Sequence, residues 1–309
     1  MRGLAAGVLL LLGVVLAASG WSVMRLSAIS TQPAAIPSGA PERILILGYG
    51  GGAHPGAYLS DSMVIASNEG GRQATISIPR DLWVQIPPGS GRYGRINEAL
   101  QDGYNSGGIN AGGDMAARKV QDVIGLPVTG WVLQDFQGFR QMIDALGGVD
   151  VDVERPFSAQ YPVNDDPDVD ARWKVVHFDA GKQHMDGEQA LEYARARYAD
   201  VPAEASDFAR SVRQQRLITA IRQNAASPAG VLHFLQLVNA VAGAVHTNLS
   251  ATELATFVTA FRGDHAKHIT LDSVLVDGKS ADGQEILLPR NGNYGLIVDY
   301  VKRELGASS

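Results

Sequence analysis

The chain has 309 residues, 45% of them hydrophobic and 19% charged, the make-up of a globular protein with a sizeable core. A net charge of -6 argues against a nucleic-acid-binding protein. The absence of cysteine excludes disulfides, thiolate catalysis and lipid attachment through Cys. At the N-terminus, the run from Gly3 to Met24 is apolar and uncharged, with Arg2 before it and Trp21 at its far edge. That length predicts a membrane anchor over residues 1–24, with a cleaved signal peptide as the alternative because LAASG offers small residues for cleavage. Either places the rest of the chain outside the cytoplasm. Residues 25–42, rich in Pro, Ala and Ser, read as a linker.

From Arg43 onward, strand and helix signals alternate. RILILG (43–48), SMVIAS (62–67) and ATISIP (74–79) are short apolar runs bounded by Gly, Pro and Asn, the signature of strands. Helices are expected at 97–104 and 114–124, a strand at 130–134, and a helix at 136–146 that stops at Gly147-Gly148. VDVDV (149–153) is the next strand. Residues 155–180 are irregular and acidic, a loop or a hairpin excursion. Asp186 and Gln189 form an N-cap pair for the helix LEYARA. Ser206 or Asp207 caps a longer helix reaching about Asn224, with further helices at 229–245 and 251–262. A strand pair near 269–276 and 284–288 precedes a closing helix at 293–304. There are no internal repeats. The pattern predicts one α/β domain over 43–309, with a mixed central sheet covered by helices on both faces.

Three motifs bear on chemistry. GYGGGAHPGA follows a strand but lacks the Lys-Ser/Thr of a P-loop and the spacing of a dinucleotide fingerprint, so it reads as a loop lining a ligand mouth. Asp61, just before the second strand, is placed to hold a metal or accept a proton; as a lone carboxylate it equally suits an N-cap or a turn. In SIPRD (77–81), Pro79 ends a strand and turns the chain, so Arg80 and Asp81 project from a strand end, where ligands of open α/β sheets gather. A surface ion pair is the alternative. No Ser-His-Asp or HExxH arrangement is present, and the histidines lack metal-ligand spacing. An enzyme of this kind would bind a phosphorylated substrate electrostatically and use carboxylates with a divalent cation.

The densest signal is YARARYADVPAEASDFARSVRQQR, with five arginines between 195 and 216. Arg210, Arg213, Gln214, Leu217, Ile218 and Ile221 follow one helix stripe whose apolar end faces a core, so its cationic end faces an interior or a cleft. An inward guanidinium needs an anion, and its planar fork suits phosphate and pyrophosphate. Internal salt bridges are the competing account. Arg195 and Arg197 point the same way if the preceding helix has ended by Tyr193.

These blocks, in the order LSDSMVIAS, ATISIPRDLWVQIP, INEAL, GFRQMIDALGGVDVDV, DGEQALEYARAR and SDFARSVRQQ, resemble the LytR-CpsA-Psr family of cell-wall proteins over about residues 43–306. The resemblance implies an α-β-α fold with a polyprenyl-binding pocket and an arginine-lined mouth. It implies transfer of a phosphate-linked glycopolymer from a polyprenyl pyrophosphate carrier to peptidoglycan, with Mg²⁺ or Mn²⁺. Carried over by motif, Arg80, Arg195, Arg197, Arg210 and Gln214 clamp the pyrophosphate, with Arg80 and Arg197 catalytic. Asp61 is the metal ligand or general base, and Asp81 supports Arg80. Arg213 joins the substrate-binding set through its place on the stripe. Gly50 and Leu59 stand where many relatives carry an acid and an arginine, and the loop around His54 resembles a GG-x-x-H-x-G subgroup.

The function expected is a phosphotransferase on a single-pass membrane anchor, its C-terminal domain extracytoplasmic, with lipid-linked glycan and peptidoglycan as partners and no nucleic acid. The alternatives are an anchored non-catalytic binder of polyprenyl-phosphate lipids and a pyrophosphatase acting on the same lipid. If the carrier's tail is housed in the fold, Leu217, Ile218 and Ile221 would line its tunnel beside Arg210, Arg213 and Gln214; a solid core is the competing fate of these three residues.

Overall fold

The computed structural model describes residues 42–306 except 53–55, 88, 166–169, 197, 206–208, 210–211, 214–215, 218–219, 222–223, 225–244, 251–252, 255, 258–260 and 262–265. The expected anchor (1–24) and nearly all of the linker (25–42) lie outside the described residues. Among the described residues, no helix is long and apolar enough to cross a membrane.

Contacts divide the chain into two compact units. The described residues of one, the sheet unit, fall in 42–49, 56–133 and 246–306; those of the other, the hairpin unit, fall in 50–52 and 134–245. The chain passes back and forth between the two units. No linker composition marks the crossings, which is why the sequence gives no sign of them.

The sheet unit is built on β1 (Glu42–Tyr49), β2 (Ser60–Glu69), β3 (Arg72–Ser77), the short ribbon β4 (Trp83–Gln85) and β5 (Tyr93–Arg95), and helix α1 (Glu98–Ile124). The strand β6 (Gly130–Asp135) crosses into the hairpin unit at its end. Apolar side chains run almost unbroken through β1 and β2 because both faces of these strands are buried: Leu45, Leu47, Met63 and Ile65 on one side, Ile44, Ile46, Val64 and Ala66 on the other. The first set packs with Ala99, Leu100, Ala116, Val120 and Ile124 of α1. The two helices expected at 97–104 and 114–124 are one element broken at Gly107-Gly108, where Gly108 takes φ 77°.

In the hairpin unit, α2 (Phe136–Ala145) leads into β7 (Val149–Val153), β8 (Phe157–Pro162), β9 (Trp173–Phe178), β10 (Gly181–Met185), α3 (Gly187–Arg195) and β11 (Tyr198–Ala199). The acidic stretch 155–180 is a hairpin, with β8 and β9 antiparallel and β11 on the other edge of β8. Phe157, Phe178 and Tyr193 cluster as its aromatic core, with ring centroids 5.0–6.2 Å apart. α3 starts on a complete capping box between Asp186 and Gln189, as the spacing predicts. It also approaches α2 closely: a Cβ on Gly187 would lie 2.4 Å from the backbone oxygen of Arg140.

The chain closes with β12 (Val245–Thr247), β13 (Lys267–Thr270), β14 (Leu275–Lys279), β15 (Glu285–Pro289) and α4 (Gly295–Leu305). β14 and β15 pair antiparallel; β15 matches the strand expected at 284–288, but the one expected at 269–276 is divided among the end of β13, a 3-10 turn at Asp272–Val274 and the start of β14. Ile297 and Val301 of α4 join the sheet unit's core. The central six-stranded sheet has the order β12-β6-β1-β2-β3-β13. It is antiparallel through β1, β2 and β3 and parallel between β3 and β13, so the predicted mixed sheet of an α/β fold is present. β12 lies where the sequence suggests the end of a helix; three residues are too few for a periodicity to register.

Candidate functional site

In the sheet unit, two strand ends bring Asp61 and Arg80 together. Asp61 is the second residue of β2. The β3 strand carries on past Ser77 with Ile78 N–H bonded to the Met63 carbonyl at 3.0 Å, and Pro79 then turns the chain. Arg80 Nη1 donates to Asp61 Oδ1 at 3.0 Å, and Arg80 Nε lies 3.5 Å from Asp81 Oδ2. Asp81 reaches on to Arg95 Nε at 3.6 Å, an arginine the sequence reading did not single out. Two carboxylates thus alternate with two guanidiniums, all between 28% and 43% exposed, in a neutral and accessible array.

Asn97 fixes this arrangement from behind. Its N–H donates to the Arg80 carbonyl and its carbonyl accepts from Ser60 N–H, both at 3.2 Å. Leu287 N–H holds the Asp81 carbonyl at 2.9 Å. The backbones on either side of the ion pair are therefore fixed while the charged tips remain accessible.

The hairpin unit carries Arg195. The condition under which Arg195 and Arg197 point the same way, a helix ended by Tyr193, is not met: α3 runs to Arg195, and Ala196 leaves it with φ -49°, ψ 125°. Arg195 donates to Tyr161 Oη at 2.8 Å and to the Asp165 carbonyl at 3.0 Å, and its guanidinium lies 3.9 Å from the Phe136 ring centroid. Tyr161 in turn donates to Asp165 Oδ1 at 2.7 Å, and burial pushes the Tyr161 hydroxyl well above its ordinary range, which keeps it a donor. Arg140 bonds both Asp165 and Glu188. Burial opposes its charge, but those two carboxylates outweigh burial and raise its pKa. Phe136, Tyr161 and Asp165 give no motif in the sequence; only the fold brings them to Arg195.

Arg213, expected in the substrate-binding set, is held inside the hairpin unit. It is 1% exposed, and it donates to the carbonyls of Tyr193 (3.1 Å), Glu204 (2.9 Å) and Ala196 and to Glu204 Oε2 at 2.8 Å. Its guanidinium also lies 5.1 Å from the Phe157 ring centroid. Tyr193 and Ala196 lie at the end of α3, so Arg213 occupies carbonyls that the helix terminus leaves unpaired. The anion its inward position requires is Glu204, the internal salt bridge left open by the sequence. Leu217 and Ile221, further along the stripe, are 2% exposed each. The stripe therefore faces inward as predicted, at its described positions. Arg197, Arg210, Gln214 and Ile218 lie outside the described residues.

Among the described residues, no group of three or more His, Cys, Asp or Glu is gathered to hold a metal. Asp61 and Asp81 do offer hard carboxylate oxygens beside the Arg80 guanidinium. Mg²⁺ commonly takes one or two such carboxylates and fills its shell with water and substrate phosphate, so the donor set fits a cation that arrives with its substrate.

Residues 25–299 match the description LytR_cpsA_psr family. The chain is 29% identical over 238 residues to the polyisoprenyl-teichoic acid–peptidoglycan teichoic acid transferase TagV of Bacillus subtilis, covering 76% of this chain and 54% of that protein. It is 30% identical over 226 residues to TagU of Oceanobacillus iheyensis, a transferase of the same description, covering 72% and 64%. It thus spans about half to two thirds of the length of these relatives. Among solved structures, Bacillus subtilis TagV superposes with a TM-score of 0.59 at 25% identity, over 87% of this chain and 98% of that one. The protein gbs0355 of Streptococcus agalactiae shares the fold, with a TM-score of 0.63 at 23% identity over 88% and 90%.

Proposed function

The chain belongs to the LytR_cpsA_psr family, and from that footing we propose that it transfers a phosphate-linked glycopolymer from a polyprenyl pyrophosphate carrier to peptidoglycan. The observation that carries this reading is Arg80, held at a strand end between Asp61 and Asp81 with its tip accessible. In the reaction, a sugar hydroxyl of peptidoglycan attacks the glycan-proximal phosphorus. The new O–P bond replaces the bond to the bridging oxygen, which leaves on polyprenyl phosphate, and the hydroxyl proton passes to a base. Phosphoryl transfer of this kind depends on positioning and charge neutralisation more than on covalent help.

Arg80 is preorganised for that work, because its backbone is tied to Asn97 and its guanidinium already lies against carboxylates. Asp61 is the candidate base or cation ligand, and Asp81 orients Arg80. A bound Mg²⁺ or Mn²⁺ would neutralise charge on the pyrophosphate oxygens. The roles carried by the family motifs assign phosphate oxygens to Arg195, Arg197, Arg210 and Gln214 as well; Arg213 occupies the Tyr193 and Ala196 carbonyls. The apolar run at the N-terminus supports a single-pass anchor with the body on the extracytoplasmic side, where both the carrier lipid and the wall are found.

The test is transfer of a lipid-linked glycan onto isolated peptidoglycan. Arg80→Ala is expected to lower the rate by roughly 10²–10³, the scale of losing one preorganised donor to developing charge. A normal rate in that variant overturns the assignment. Stoichiometric lipid capture without product would make the protein a binder, and phosphate release indifferent to added wall would make it a pyrophosphatase.

A further inference from the structure

The outer face of the β11-β8-β9 sheet carries side chains that the fold does not need. Its inner face is filled by Phe157, Ala159, Tyr161, Val176 and Phe178, all buried. The outward positions of such a sheet are ordinarily polar. Here they include Trp173 (41% exposed), Val175 (64%) and Tyr198 (64%). Strand register aligns Tyr198, Gln160 and Val175 across the three strands and sets Trp173 opposite Pro162. Trp173 and Tyr198 meet edge-on, with centroids 5.7 Å apart. Beside them Ser158 Oγ and His177 Nδ1 are 3.0 Å apart, and the His177 ring is held by Asp179 at 3.1 Å. A contiguous exposed apolar patch of this kind marks a recognition surface.

We infer that this face is a docking platform for the neutral glycan strand of the peptidoglycan acceptor. A pyranose ring has a flat C–H face that packs on an aromatic ring, and equatorial hydroxyls that reach amide, hydroxyl and imidazole groups alongside. Trp173 and Tyr198 supply the rings; Gln160, Ser158 and His177 supply the polar groups. Charge selects among possible occupants. Arg172, next to the platform, is held by Asp170 at 2.9 Å, Lys174 by Glu188 at 3.1 Å, and the rim carries Asp179 and Asp200. An anionic lipid surface or an anionic polymer finds no uncommitted cation there among the described residues, whereas an uncharged polysaccharide needs none. An open sheet face suits an extended strand better than a small ligand, which asks for a cleft.

This inference rests on the transferase reading, so its test separates the two. The full chain in detergent is sedimented with peptidoglycan sacculi stripped of attached polymers and, in parallel, with phosphatidylcholine–phosphatidylglycerol vesicles. Trp173→Ala/Tyr198→Ala is expected to weaken retention on sacculi about tenfold, the effect of losing aromatic anchors at the centre of a contact. The same variant keeps vesicle retention and melting temperature, and raises KM for sacculi while leaving KM for the lipid-linked donor unchanged. Arg80→Ala behaves conversely, sedimenting with sacculi as wild type while transfer falls. Tyr198→Ala alone, at the most exposed ring, repeats the loss if the double variant melts early. Undiminished retention on sacculi in both variants, or a loss shared equally by the vesicles, overturns the platform without touching the transferase assignment.

Discussion

At the scale of single residues, arginines that look alike in the sequence divide into two kinds. Arg80 and Arg195 have accessible guanidiniums, 31% and 25% exposed, on anchored backbones. Arg213 is saturated by three carbonyls and Glu204 in the interior. The sequence could say that Arg213 points inward, because helical spacing shows direction. It could not say which anion waits there, because Glu204 sits in an unpatterned loop. Removing Arg213 should therefore act on stability. Arg213→Ala leaves Glu204 without its cation and the Tyr193 and Ala196 carbonyls without a donor, at a cost of about 3–5 kcal/mol. Thermal melting followed by circular dichroism should show a drop on the order of ten degrees. Unchanged melting with lost transfer would return Arg213 to the substrate-binding set.

At the scale of elements, the sequence is most legible where a pattern is long. The β1, β2 and β3 runs, the α2 helix with its double-glycine stop and the capping box of α3 are all where periodicity and capping chemistry place them. Short pieces such as β4, β5 and β11 escape, since two or three residues hold no period. The partners of Arg195 escape for a different reason: Phe136, Tyr161 and Asp165 are far from it in sequence and meet it only because α2, α3 and β8 pack together. That packing has a narrow tolerance at Gly187, where an added methyl would meet Arg140 backbone rather than a side chain able to swing away. Gly187→Ala should force α2 and α3 apart and cost about 1–3 kcal/mol, as overpacking does. A denaturant midpoint equal to wild type would show that the helices can give way more easily than their backbone contact implies.

At the scale of the whole molecule, the order of strands in the central sheet sets a timetable. The four inner strands, β6-β1-β2-β3, are complete once the chain has reached Asp135, but the two flanking strands arrive only with Val245–Thr247 and Lys267–Thr270. A ribosome making this protein therefore leaves a hydrophobic four-stranded sheet with both edges open while the hairpin unit is still being synthesised. Open edges of this kind recruit other strands. A chain stopped after residue 244 should collect in aggregates and the full chain should not; a monodisperse truncated product would show that the inner strands wait, unpaired, for their late partners. The exposure of the emerging chain to its neighbours is thus set by the position of β12 and β13, the last strands of the central sheet to be made and the ones that cover its edges.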